Sequence, residues 1–228
     1  MNLTRRIAAI PLFAGLNQED YDELTMIVTD QEFSRGQTIF SEGDDGVGFF
    51  VVDTGLVKIF KLSPDGKEQI LHIFGPDEPF AEVAVFSGSA YPAHAQALEK
   101  SRIFFFPRKA FIELLRKQPS LALNLLAALS LRLKKFARLI EDLSLKEVPG
   151  RLAAHLLYLS NQQQDAQAVQ LNISKNQLAS LLGTIPETLS RILARMSKQG
   201  FISLDGTLIR IKNRDELEEL AAGEKKLG

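Results

Sequence analysis

The stretch from Asn172 to Gly200, NISKNQLASLLGTIPETLSRILARMSKQG, constrains this chain more than any other. Ser174 with Gln177, and Thr184 with Glu187, give two S/T-x-x-Q/E patterns ten residues apart. Each pattern is a capping box, so two helix starts are expected in quick succession. Gly183 is placed to end the first helix, and Pro186 falls in the first turn of the second, where its missing N–H costs little. Leu189, Ile192, Leu193 and Met196 recur at helical spacing and are expected to face a core. Glu187, Ser190 and Arg191 then share the outer face, because positions three and four apart are neighbours on a helix. A short helix, a tight turn and a second helix with a polar outer face enters the major groove, which makes double-stranded DNA the expected partner.

The outer face carries the right chemistry for reading bases. Arginine is bidentate to guanine O6 and N7, and a carboxylate accepts from the cytosine amino group. Blander roles stay open at this point: Glu187 as the returning arm of a capping box, Ser190 as a neutral surface position, Arg191 as a solvated charge. Ser174, Lys175 and Thr188 complete the candidate DNA-binding set. Just downstream, FISLDGTLIRI (residues 201–211) is two apolar runs around Asp205-Gly206, the strongest short hairpin signal. A hairpin there makes a winged helix, with Arg210 and Lys212 placed for phosphate. The chain as a whole has net charge −1, yet residues 149–213 hold seven Lys/Arg against three Asp/Glu. The positive charge is concentrated where DNA is expected.

The run Glu187 to Arg191, E-T-L-S-R, followed by Ile192 and Leu193, resembles the reader helix of the bacterial cyclic-AMP receptor and fumarate–nitrate reduction (CRP/FNR) regulators. In that family the Arg donates to a guanine, the Glu accepts from amino groups of cytosine or adenine, and the Ser touches a thymine. The E-x-x-S-R form is similar to the fumarate–nitrate side, whose half-sites centre on TTGA. In the cyclic-AMP branch Ser190 is usually Gly and Pro186 usually Arg. RNA polymerase is the protein partner that the resemblance implies.

Upstream, short apolar runs alternate with turn signals from Gln31 to Phe106, as in a β-sandwich or jelly roll. EGDDGVGFFVVDTGLVKIFKLSPDGKEQIL resembles the signature of cyclic-nucleotide-binding domains, in which the glycines supply positive φ. The ligand cassette departs from that pattern. The resemblance implies Gly-Glu near its start, the Glu binding a ribose hydroxyl, and Arg-Ser or Arg-Thr near its end, the Arg holding a cyclic phosphate. Here Phe80-Ala81-Glu82 keeps only the Glu, Pro92-Ala93 stands in place of the Arg pair, and no Lys or Arg occurs between Asp77 and Glu99. A phosphate needs charge-assisted donors, so cyclic AMP is not the expected ligand; a cyclic-nucleotide-responsive regulator is the alternative. GLVKIFKLSPDGKEQIL, FAEVAVF and P-E-T-L-S-R together are similar to the Dnr-like branch, which responds to nitrogen oxides without cysteine ligands. That implies haem as cofactor and nitric oxide as signal. His72, His94, His155, Met26, Met196, Tyr21 and Tyr91 are the axial-ligand types present, with His72 and His94 grouped with Phe80 and Glu82 as the candidate ligand pocket.

The remaining features frame this reading. The chain has 228 residues, 45% of them apolar, with 15 Phe, enough for two cores. It has no cysteine, which excludes a cysteine-held iron–sulfur cluster and thiol redox sensing. No run suits a membrane span, and cysteine-free composition fits a cytoplasmic protein. No nucleophile–base pair, P-loop or spaced His cluster suggests an enzyme. Residues 119–143 form an apolar-striped segment, ~36 Å long as a helix. Leu125, Leu129, Leu133, Phe136 and Ile140 recur every three or four residues. This is expected to be a parallel dimerisation helix; packing on its own barrel alone is the other option. The expected architecture is α+β: a cyclic-nucleotide-binding-type β jelly roll over 1–118, the dimer helix 119–143, a hinge at 144–148, a winged helix-turn-helix over 149–213, and a tail at 214–228.

Overall fold

Alternating apolar strands bounded by Gly turns, then amphipathic helices, give two compact units, Met1–Lys134 and Lys135–Gly228. The computed structural model describes residues 3–165 and 167–227, without the side chains of residues 84, 135 and 138. The chain opens with α1 (Leu3–Ala9), a 3-10 turn (Pro11–Phe13) and α2 (Gln18–Ile27). Asn17 starts α2 with a reciprocal capping box to Asp20. Ile7, Ile10, Leu12, Phe13 and Leu24 from this segment are buried with Phe49, Val51, Phe104, Phe106 and Phe111. The sequence pattern did not announce this helical lead-in to the barrel.

Eight strands follow: β1 (Thr29–Phe33), β2 (Thr38–Phe40), β3 (Gly48–Thr54), β4 (Val57–Leu62), β5 (Glu68–Phe74), β6 (Pro79–Phe80), β7 (His94–Ala97) and β8 (Ser101–Pro107). They form two antiparallel four-stranded sheets, ordered β1-β8-β3-β6 and β2-β7-β4-β5. This is the expected sandwich. Gly55, between β3 and β4, shows why glycine is needed: its φ is +91°, and a Cβ there would sit 2.3 Å from Ser101 Oγ. Between β6 and β7 lies α3 (Val83–Ser87). After β8 come α4 (Arg108–Lys117) and the long α5 (Pro119–Leu145).

Helix α5 carries two stripes. Leu121 and Leu125 are buried among the Phe-rich core of the first unit. A second stripe, Leu123, Leu126, Ser130, Leu133, Ala137, Ile140 and Ser144, is exposed along its whole length. Leu125 is therefore a core residue, and Leu129 and Phe136 are half-buried, so the phase read from the sequence is corrected. Leu133 and Ile140 stay on the open face at 70% and 65% exposure.

The second unit contains α6 (Val148–Gln162), β9 (Ala168–Gln170), α7 (Lys175–Leu181), α8 (Pro186–Lys198), β10 (Ile202–Asp205), β11 (Leu208–Ile211) and α9 (Arg214–Ala222). Its small sheet is ordered β10-β11-β9, so the expected wing gains a third strand. Two boundaries move. The segment after 213, expected as a short helix or a disordered end, is a helix that belongs to the unit, because Leu217, Leu220 and Ala221 of α9 lie in the core with Leu152 and Leu156 of α6. Helix α5 runs on to Leu145 and α6 starts at Val148, which narrows the expected 144–148 hinge to Lys146 and Glu147. Arg151 pins that joint by donating to the carbonyls of Lys146 (2.7 Å) and Leu143 (3.5 Å), and to Leu182 (2.9 Å) at the end of α7.

Candidate nucleic-acid interface and sensor site

Helix α7 begins as expected. The Gln177 N–H donates to Ser174 Oγ (3.3 Å), and the Ser174 N–H donates to Gln177 Oε1 (2.8 Å). The second box does not form. The N-cap of α8 is Ile185, with no side-chain cap, and Pro186 occupies N1. The Thr184 N–H instead donates to the Ala179 carbonyl at 2.9 Å, closing α7. Glu187 is thereby released from the capping role. Leu189, Ile192, Leu193 and Met196 are buried, leaving Glu187, Ser190 and Arg191 exposed on one face of α8. Ser174 and Lys175 are exposed at the start of α7, and Thr188 is half-buried. In the wing, Ile202 pairs with Ile211 and Asp205 with Leu208, and Arg210 and Lys212 point to solvent.

The sensor unit holds a site that the sequence half-described. Ala81 has φ +65°, the left-handed conformation glycine prefers, at the position where the family resemblance implies Gly. It delivers Glu82 to a position only 3% exposed. There Arg132 Nη1 donates to Glu82 Oε2 at 2.7 Å, while Arg132 Nη2 donates to the Pro79 carbonyl. The guanidinium also lies 4.8 Å from the centre of the Phe74 ring, a cation–π contact. Glu82 Oε1 is buried without a hydrogen-bond partner among the described residues. The cation missing from residues 77–99 thus arrives from α5, 50 positions downstream. Separation of that length leaves no local sequence signal.

The other sensor candidates divide. Phe80 is fully buried and pairs with Phe50 across β6 and β3, its ring 5.2 Å from Phe50 and 5.5 Å from Phe74. His72 lies on the same side of β5 as Phe74, edge-on at 4.5 Å. His94 is elsewhere: its Nδ1 accepts from the Glu42 N–H at 3.1 Å, its Nε2 is 3.8 Å from the Glu42 carboxylate, and its ring stacks on Phe60. Phe40, Phe50, Phe80 and Tyr91 stack in the interior, with Phe40 and Tyr91 centred 4.0 Å apart. A haem would need an axial ligand and a slot for its macrocycle, and the stacked rings of Phe40, Phe50, Phe80 and Tyr91 occupy this part of the interior.

Two family models match the chain: a cyclic nucleotide-binding domain over residues 30–118 and a Crp-like helix-turn-helix domain over 150–220. The chain is 30% identical to a CRP-like cAMP-activated global transcriptional regulator of Mycobacterium tuberculosis, over 94% of this chain and 98% of that protein. The chain belongs to the CRP/FNR family of transcription regulators. The fumarate and nitrate reduction regulatory protein of Escherichia coli is 31% identical, over 90% of this chain and 84% of that protein. The structure of FixK2 from Bradyrhizobium japonicum superposes with a TM-score of 0.75 at 25% identity, over 85% of this chain and 97% of FixK2. This CRP/FNR chain is therefore a DNA-binding transcription regulator, and its relatives are regulators rather than enzymes. Among the described residues no helix is long and apolar enough to cross a membrane.

His155 of this CRP/FNR regulator lies on α6, outside the sensor unit, its Nε2 buried without a hydrogen-bond partner among the described residues. Burial holds its pKa down to about 4. In the unfolded chain an imidazole titrates near about 6.5, so below that pH the unfolded state takes up a proton that the native state refuses. Stability is thus full above about 6.5 and falls as pH drops toward about 4, by up to about 3 kcal/mol. His155→Leu should flatten the loss between pH 7 and pH 4.5 in urea unfolding of the intact chain. An unchanged pH profile would refute this assignment.

Proposed function

We propose that the protein is a homodimer that reads a palindromic operator with TTGA-type half-sites, gated by a small-molecule signal in the sensor unit. The reading rests above all on the exposed face of α8, where Glu187, Ser190 and Arg191 stand together over a buried apolar floor. Two such faces related by a two-fold axis read half-sites about 34 Å apart. The two-fold seam is the exposed stripe on α5. Leu123, Leu126, Ser130, Leu133, Ala137, Ile140 and Ser144 alternate three and four residues apart, the a/d spacing of a parallel helix pair. Leu126 and Leu123 are 59% and 68% exposed in the single chain, an apolar stripe that a second copy would cover.

For the signal, we propose a polar ligand that competes for Glu82 and Arg132. The unpartnered Oε1 of Glu82 asks for a donor, and Arg132 belongs to the helix that carries the seam. A ligand that draws Arg132 away biases the helix pair through its different affinity for the two arrangements. A cyclic nucleotide is the second reading, because Arg132 supplies a cation that the cassette itself lacks. A saturable Soret band at one haem per chain, shifting with nitric oxide, would overturn the polar-ligand choice and restore haem.

Selection of binding sites from a randomised duplex pool tests the DNA reading: a two-fold symmetric site supports it, and failure to enrich any duplex ends it. Leu133→Lys with Ile140→Lys tests the seam. The double variant is expected to sediment as a monomer and to bind the selected operator at least ~100-fold more weakly, since one half-site must then act alone. A variant that stays dimeric would place the interface elsewhere.

A further inference from the structure

The N-cap of α8 is an unusual place for an isoleucine. Ser, Thr, Asp or Asn there would accept from the first free N–H groups of the helix, and Ile185 makes no such bond. Nor does the side chain serve the core, being 49% exposed while Leu182 and Leu189 on either side are buried. It stands two residues before Glu187 and one before Pro186, at the end of the reader helix that enters the groove first. Pro186 is half-buried and Glu187 exposed beside it.

An apolar side chain on a base-reading surface has one complement in the major groove, the C5-methyl of thymine. The other groups displayed there are hydrogen-bond donors and acceptors, which Ile185 cannot satisfy. We infer that Ile185 reads a thymine methyl at the amino end of the reader helix, adding an apolar specificity contact to the polar ones of Glu187, Ser190 and Arg191. This rests on the proposed operator reading and extends it to a fourth position.

The test uses the full-length protein and the duplex enriched by site selection. Each thymine of the half-site is replaced in turn by deoxyuridine, which removes only the methyl. In the wild type one thymine should prove sensitive, losing about 4-fold in affinity per half-site and about 15-fold when both half-sites are changed. In Ile185→Ser, which restores a capping side chain and should fold at least as well, that sensitivity should vanish. Ile185→Val should keep it. If every thymine tolerates the change, or if Ile185→Ser shows the same sensitivity as the wild type, the contact is refuted while the operator reading stands. If no duplex is enriched at all, the operator reading itself fails and takes this inference with it.

Discussion

Arg132→Ala should lower the stability of the sensor unit by about 3–5 kcal/mol, the cost of leaving a buried charge without its partner. Glu82 is 3% exposed, and Arg132 holds one of its carboxylate oxygens while the other has no hydrogen-bond partner. Deleting the guanidinium strands both oxygens away from water. It also removes the cation from the face of Phe74 and the donor from the Pro79 carbonyl. The double variant Arg132→Leu with Glu82→Leu should recover most of the loss, because an apolar pair of similar volume carries no desolvation penalty. Urea unfolding of Arg132→Leu, Glu82→Leu and the double variant gives the coupling directly. A loss in the double variant equal to the sum of the two single losses would mean that the pair is not coupled and that the signal reading lacks its switch.

The second large effect belongs to Arg191. Arg191→Ala should weaken operator binding by about 1–3 kcal/mol per half-site, or roughly 2–6 kcal/mol for the dimer, and relax preference at the guanine position. The loss is confined to recognition because the residue projects outward from α8. Its neighbours Ile192 and Leu193 hold the helix in the core and are untouched. Lys212→Ala provides the contrast. A phosphate contact from the wing should weaken all sequences alike and reduce the salt slope by about one per half-site, or about two for the dimer. Electrophoretic mobility shifts on the selected operator and on variants with the guanine changed separate the two. If Arg191→Ala lowers affinity equally on every sequence, Arg191 is only a phosphate contact.

Much of the DNA unit was legible because its signals are local. The Ser174–Gln177 box, Gly183 and the Asp205-Gly206 turn act within a few residues, and each stands where the pattern puts it. The Thr184–Glu187 box has the same S/T-x-x-Q/E pattern and does not form. Pro186 fixes its own φ and takes the N1 position, so the helix starts one residue late and Thr184 falls outside it. The α5 stripe was misphased for a different reason. Two apolar stripes share one period, and only packing shows that Leu121 and Leu125 face inward while Leu126 and Leu133 face out. Helix α9 is one of the two readings open for residues 214–228, a short helix or a disordered end, and its dense charge hides the helical spacing of Leu217, Leu220 and Ala221. The three-residue strand β9 had none. Arg132 lies beyond any local reading, since a residue's distant partner is set by the fold.

Arg151 has a mechanical consequence. It grips the carbonyls at the end of α5, in the linker and at the end of α7 with one guanidinium. A joint stapled at three points cannot bend freely, so the last turn of α5 and the reader unit move as one lever. In the proposed dimer, rotation of that lever would be supplied upstream, along the seam, and small twists there would be magnified over the lever's length into displacements of the two reader faces across the groove.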